Sequence, residues 1–305
     1  MRAGDIEQAR ATLLKRIDAA ESITQREVLH SWELSHVERI RFSGGHTVIF
    51  KCASDPFTHE HEALSALWQA GVDVPRLRVA VRSGPLLGMV LEDMGEPDRV
   101  PEDADGVAAA VHLHAAATPP HLPPADHAWL ASLPDRALRS LRLLQEKNRW
   151  EGVDDITRML QQLSVGSVHR CEGVLVPPYG WVHSEFHPES LHIRDERVRL
   201  YDFARAFHGP GLLDLASWHG TVDEPDPAAT RGLLEAYVAA GGESGALASR
   251  GGLEAEHWAL GWHRVWAVEW FLSQALVWID DPAADPAYIS VVRRHAGDAV
   301  TLLAV

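Results

Sequence analysis

The hydrophobic period of this 305-residue sequence changes near residue 95, which limits the chain to a fold whose two parts differ in kind. Between residues 27 and 91 the signals are those of strands. Residues 37–42 alternate, Ser43-Gly44-Gly45 marks a turn, and 47–52 are β-rich; 77–81 and 86–91 flank the turn Arg82-Ser83-Gly84-Pro85. One helix is expected inside this region, over 57–71, with Leu64, Leu67 and Trp68 on one face and Glu60 in the same stripe a turn earlier. Another is expected ahead of it, over 5–20, because Ala9, Leu13, Ile17 and Ala20 share a helical stripe. Acids, Gly95, Pro97 and Pro101 gather between Glu92 and Asp105, so a boundary is placed there, dividing 1–94 from 95–305.

Beyond the boundary the pattern is helical over 106–117, 128–145, 153–163, 212–219, 227–241, 252–279 and 286–305. One island interrupts it. Residues 181–203 read as strand, loop, strand, a turn at Asp195-Glu196, and strand, and no tandem repeat of fixed period is visible. The expected class is α+β: a small antiparallel-sheet lobe carrying one main helix, followed by a larger, mostly helical lobe.

Composition removes several classes of function. A hydrophobic content of 46% with 23% charge excludes a disordered polar chain. The longest apolar stretch, 258–279, is broken by His263, Arg264, Glu269 and Gln274, so it reads as a packed helix and no membrane span is expected. Residues 1–10 carry both signs of charge and no apolar segment, so no leader is expected and the cytoplasm is the expected location. Cys52 and Cys171 lack metal-type spacing and are too few for a disulfide framework. A net charge of −15 repels a phosphate backbone, so nucleic acid is not an expected partner; the same charge either steers a cationic small substrate or serves solubility alone.

The chain has only three lysines, Lys15, Lys51 and Lys147, and Lys51 lies in an apolar strand. A lone ammonium there needs an anion to offset its desolvation, unless it reaches solvent from an edge strand. Glu60 is the available partner if it faces the core, rather than standing as a solvated acid in a first helical turn. Asp202 shares strand parity with Val198 and Leu200, so its carboxylate is expected beside the core and in need of a cation, which a divalent metal would supply. His183, Glu185 and His187 fall at period two and allow a second reading, a metal site with nitrogen and carboxylate ligands.

The stretch His183-Ser184-Glu185-Phe186-His187-Pro188-Glu189-Ser190, followed 17 residues after Glu185 by Tyr201-Asp202-Phe203, resembles the catalytic loop and metal motif of aminoglycoside phosphotransferases and choline-kinase-like enzymes. Gly209-Pro210-Gly211-Leu212-Leu213-Asp214-Leu215-Ala216 is similar to the segment that follows in that family, and the likeness extends over about 40–216. It implies a bilobal protein-kinase-like fold. It also implies roles: Ser43, Gly44 and Gly45 as the phosphate-covering turn, Lys51 on the phosphates with Glu60 as its partner, and Glu92 to Met94 as a hinge whose backbone reads the purine. Asp202 would hold Mg²⁺ with Ser190 assisting, Glu185 would act on the acceptor hydroxyl, Asp214 would tie the loop down, and His112 and His114 would be packing residues. Two departures stand out: the family's catalytic aspartate is Glu185 here, and its metal-binding asparagine is Ser190. The extra methylene of a glutamate moves its carboxylate by more than about an ångström, and such misplacement can cost on the order of 100-fold in rate.

The implied activity is transfer of the γ-phosphate of ATP or GTP to a hydroxyl-bearing small molecule by a monomer or homodimer. The first acceptor class is an antibiotic of aminoglycoside, nucleoside or peptide type. Alternatives are a metabolite kinase for choline, an amino alcohol or a sugar, and a catalytically silent nucleotide-binding protein. Trp258, Trp262, Trp266 and Trp270 recur at spacing four and are read as core, or as a stacking surface for the acceptor.

Overall fold

The computed structural model describes residues 2–17 and 21–305, so Ala20, the last residue of the first expected helical stripe, lies outside the described residues. By contact the chain forms two compact units, Met1–Pro101 with Glu189–Ala206, and Glu102–Pro188 with Phe207–Val305.

In the first unit, helix α1 (Ala3–Ile17) precedes strands β1 (Ile23–Ser31), β2 (Ser35–Phe42) and β3 (Thr47–Ser54), helix α2 (Glu60–Gln69), and strands β4 (Leu77–Ser83) and β5 (Leu86–Glu92). The five strands make one antiparallel sheet in the order β1-β2-β3-β5-β4. Strand alternation decides its two faces. Ile40, Phe42, Val48, Phe50, Cys52 and Val90 form a buried layer with Leu13 of α1, and Ile6, Ala9 and Leu14 pack against it. An ion pair also fixes α1 to the sheet: Arg10 Nε lies 2.5 Å from Glu38 Oε1, both side chains are buried, and the guanidinium stacks over the Phe50 ring. Lys51, between Phe50 and Cys52, is thereby turned to the opposite face.

The second unit begins with α3 (Asp103–Ala115), α4 (His127–Glu146), α5 (Asp154–Gly166) and the short strand β6 (Tyr179–Val182). The chain then supplies a hairpin to the first unit, β7 (Leu191–Arg194) and β8 (Arg197–Leu200). Asp195 and Glu196 both have positive φ, 49° and 60°, as a two-residue turn matched to strand twist requires. Within the first unit this hairpin is held by Leu200 N–H donating to Asp73 O at 3.0 Å, and by Arg197 and Arg199 pairing with Asp73 at 2.9 Å each.

The second unit resumes with β9 (Phe207–Pro210), α6 (Leu212–Ser217), α7 (Pro227–Ala239), α8 (Ala255–Ser273) and α9 (Asp285–Leu303). Strand β9 pairs with β6, Tyr179 opposite Pro210 and Val182 opposite Phe207. The sequence pattern does not predict it, because Phe207-His208-Gly209-Pro210 carries turn residues and too few positions to show a period of two. Helix α8 is buried along most of its surface, charged residues included, and is packed by α4, α6, α7 and α9, as a central helix must be. It does not run unbroken over the expected 252–279: it starts at Ala255 and ends in a π-helical turn, Gln274–Trp278. No helix among the described residues is long and apolar enough to cross a membrane.

Candidate active site

Lys51 is buried, with its Nζ 2.7 Å from Glu60 Oε2 and 2.5 Å from Asp202 Oδ1. Burial works against the ammonium, but the two carboxylates, Asp202 foremost, outweigh it and hold the Lys51 pKa above the usual lysine range. Glu60 opens α2 and is 1% exposed, so it is a core-facing partner and not a solvated first-turn acid. Asp202 reaches Lys51 by a route that strand parity does not describe. Strand β8 stops at Leu200, Asp202 lies beyond it with φ 69°, and its side chain is 47% exposed. The left-handed backbone turns this carboxylate out of the hairpin instead of into the core.

Hairpin register places Ser190 close by. Leu191 pairs with Leu200, and at the next step Tyr201 N–H donates to Ser190 O at 3.1 Å, so Ser190 and Asp202 share the open end of β7–β8. Ser190 is buried, and the Tyr201 hydroxyl donates to Glu189 O. Hard oxygen donors of this kind, one carboxylate and one hydroxyl, suit Mg²⁺, which takes few protein ligands and draws the rest from phosphate and water.

The segment from Glu92 to Gly95 is braced by the same hairpin. The Glu92 carboxylate accepts from Arg199 at 3.0 and 3.2 Å and from Arg76 N–H at 3.2 Å; burial works against its charge, but these donors outweigh it and hold its pKa below the usual range. Met94 O accepts from Arg194 Nη1 at 2.9 Å, and Gly95 O lies 3.1 Å from His192 Nε2. Gly95 has φ 77°, and a Cβ there would fall 1.7 Å from Arg194 Nη1, so only glycine fits beneath that guanidinium. The Ser43-Gly44-Gly45 turn joins β2 to β3, and its three N–H groups donate within the chain: Ser43 to Ser22 O at 2.9 Å, Gly44 to Glu21 Oε2 at 3.0 Å and Gly45 to Phe42 O at 2.9 Å.

In the second unit, β6 leads straight into the loop that carries His183 and Glu185. Asp214, fully buried at the start of α6, accepts from the backbone N–H of His183 at 2.8 Å and of Ser184 at 2.9 Å. Ser184 has φ 76°, and two adjacent amides converging on one carboxylate hold that bend. Ser217 Oγ donates to Phe186 O at 2.6 Å and braces the far side of the loop. Glu185 is half-buried, and its N–H donates to His183 Nδ1 at 3.3 Å. The metal reading of His183, Glu185 and His187 finds no support, since among the described residues no three His, Cys, Asp or Glu side chains gather as metal ligands.

Sequence reasoning missed a polar role for His114. Read as a packing residue, it is buried, but its Nε2 lies 3.4 Å from Asp214 Oδ2 and its Nδ1 3.3 Å from the Tyr237 hydroxyl, behind the loop. The spacing of 100 residues to Asp214 leaves no local signal for the pairing. Of the tryptophan stripe, Trp258 and Trp262 are fully buried and donate to Arg170 O at 2.6 and 3.2 Å, whereas Trp266 and Trp270 are half-buried.

Residues 41–250 match the family model described as the phosphotransferase enzyme family, APH. A search of curated proteins returns no match. Among solved structures, choline kinase LicA from Streptococcus pneumoniae is similar at a TM-score of 0.64 and 12% identity, over 96% of this chain and 99% of that one. An aminoglycoside-3'-phosphotransferase of type VIII gives 0.56 and 22%, over 87% and 98%. The amicoumacin kinase hAmiN, solved with AMP-PNP, Ca²⁺ and Ami, gives 0.56 and 15%, over 97% and 96%. At these identities the structural likenesses bear on the fold, and the family model bears on the chemistry. The chain belongs to the phosphotransferase enzyme family, acting on hydroxyl groups and built on a protein-kinase-like α+β fold.

Proposed function

We propose that this protein moves the γ-phosphate of ATP or GTP to a hydroxyl of a small-molecule antibiotic of aminoglycoside, nucleoside or peptide type, and so confers resistance. The observation that carries the reading is the buried Lys51 ammonium held between Glu60 and Asp202, in a chain with three lysines. Phosphoryl transfer asks the protein for alignment and for neutralisation of charge more than for covalent chemistry, and this triad supplies a fixed cation beside an oxygen-donor pair.

In this reading residues 1–94 form the nucleotide-binding lobe, and 95–305 supply the loop and the acceptor site. Lys51, oriented by Glu60, contacts the α- and β-phosphates. Ser43, Gly44 and Gly45 cover the phosphates, and the backbone from Glu92 to Met94 reads the base. Asp202 and Ser190 are the residues that would hold Mg²⁺, which when bound offsets charge on the phosphates. Glu185 orients the acceptor hydroxyl and takes its proton as the oxygen attacks the γ-phosphorus and the nucleoside diphosphate leaves. Asp214 keeps that loop in place through its two amide contacts.

A metabolite acceptor, choline, an amino alcohol or a sugar, is the second reading, and the likeness to a choline kinase favours keeping it. Two experiments test the proposal. Asp202→Ala should abolish transfer to any accepted substrate while the protein stays folded, and undiminished turnover in that variant would refute the metal assignment. Expression in a sensitive bacterium, challenged with a panel of hydroxyl-bearing antibiotics, separates the acceptor classes: protection against none, with phosphorylated choline as product, selects the metabolite reading.

A further inference from the structure

Behind the loop that carries Glu185, a line of buried polar groups runs through three helices of the second unit. Asp214 of α6 holds the loop through the N–H groups of His183 and Ser184, and the oxygen that takes the His183 amide, Oδ2, also lies 3.4 Å from Nε2 of His114 in α3. The other imidazole nitrogen, Nδ1, lies 3.3 Å from the hydroxyl of Tyr237 in α7, and the Glu243 N–H acts on that phenol oxygen as a donor. Asp214 and Tyr237 are at most 1% exposed, and so is the His114 side chain, so bulk water does not compete for these contacts. Backbone closes on both rings. A Cβ on Gly211 would fall 2.7 Å from the His114 ring and one on Gly242 2.3 Å from the Tyr237 ring, so glycine is what leaves the two side chains room.

The partners fix the proton positions. A carboxylate accepts and cannot donate, so Nε2 carries the proton; a neutral imidazole protonated there accepts at Nδ1, where the phenol O–H donates. The result is a one-way relay, Tyr237 O–H to His114 and His114 N–H to Asp214, ending on the two amides that shape the loop. We infer that His114 is a positioning residue for phosphoryl transfer: held by Tyr237, it locks the Asp214 carboxylate in the orientation that presents one oxygen to each loop amide, and so sets where Glu185 stands. This rests on the reading of Glu185 as the group that takes the acceptor proton. It gives His114 and Tyr237 a task that packing alone does not perform, because an apolar side chain filling the same space would leave the Asp214 carboxylate free to turn.

Three measurements on the full chain test this. Imidazole nitrogen NMR of the wild type at neutral pH should show His114 protonated at Nε2 and bare at Nδ1, and a proton on Nδ1 instead overturns the relay. Hydrogen exchange at the His183 and Ser184 amides should be about 10-fold faster in His114→Leu, with the α8 amides unchanged. The effect should be smaller in Tyr237→Phe, which keeps the imidazole, and that variant decides if His114→Leu does not fold. His114→Gln, which can present an amide N–H to Asp214, should restore most of the protection. With Mg·ATP and water as the acceptor, phosphate release by His114→Leu should fall in kcat by about 10- to 100-fold at a KM within about 2-fold of the wild type. Unchanged exchange and kcat in a folded His114→Leu, or equal losses in His114→Leu and His114→Gln, overturn the inference and leave the transfer reading standing. Absence of Mg·ATP binding by the folded wild type overturns the transfer reading, and with it the task of the relay, whatever the amides do, so the two failures are distinguishable.

Discussion

Lys51 and Arg250 are both buried cations, but only the first is legible as such in the sequence. Lys51 sits in a run of apolar strand residues, so its need for an anion follows from its neighbours alone. Arg250 sits beside Ser249, Gly251 and Gly252, with no apolar run to mark it as buried, yet it is 1% exposed and among the described residues no carboxylate pairs with it. Its guanidinium donates to four carbonyls, Ala248 at 3.0 Å, Val176 at 3.2 Å, Pro177 at 3.0 Å and Gly245 at 2.9 Å, and stacks over Trp258. Burial pulls its pKa down to about 10, so the cation persists at neutral pH. Arg250→Ala should lower the unfolding free energy by about 3 kcal/mol or more, because four carbonyls lose a charged donor inside the protein. Arg250→Lys should restore only part of it, since an ammonium lacks the planar fork; denaturant titration of the three proteins checks both statements. Glu185 and Ser190 belong to the same scale: the letters mark them as departures from the family pattern, but only rate measurements on Glu185→Asp and Ser190→Asn show what each departure does.

At the scale of elements, long helices with a clear stripe are readable, while short strands and helix ends are not. Helix α8 is evident from its apolar run, but its π-helical end and the unequal burial of its tryptophans depend on what packs against it. Helix α9 gives this scale its own prediction. His295 is fully buried against Phe271, and burial, reinforced by Arg264 and Arg294, pushes its pKa down to about 3. The folded state therefore keeps His295 neutral while the unfolded chain takes up its proton near the ordinary histidine value. The unfolded state thus holds the extra proton between roughly pH 6.5 and 3, so stability falls as pH is lowered through that window, by up to about 1.4 kcal/mol per pH unit. Replacing His295 by Phe should flatten this part of the stability profile, measured by urea titration at stepped pH. A profile unchanged by the substitution would assign the acid sensitivity to other groups.

For the whole molecule, the proposed nucleotide site predicts a linkage effect. Mg·ATP or Mg·GTP at about a hundredfold over its Kd should raise the unfolding free energy by about 2.7 kcal/mol, seen as an upward shift of Tm, and the nucleotide with the larger shift at equal concentration is the donor. No shift with either would remove the nucleotide from the reading. At this scale lies also the grouping that no local pattern contains: residues 189–206 follow the loop of the second unit in the chain, yet by contact they belong with the first. Asp202 meets Lys51 across 151 residues of sequence for that reason.

By itself the sequence determined the α+β class, the small sheet with one main helix, the helical remainder and the family, because period, turn residues and motif order are local properties of the chain. Tertiary structure alone decided that Asp202 joins Glu60 at the Lys51 ammonium, how Asp202 is aimed, which tryptophans are sealed, and that Glu21 sits on the glycine turn. Those outcomes turn on the relative free energies of placing charges far apart in sequence into shared, poorly hydrated sites, and no window of neighbouring residues encodes such a sum.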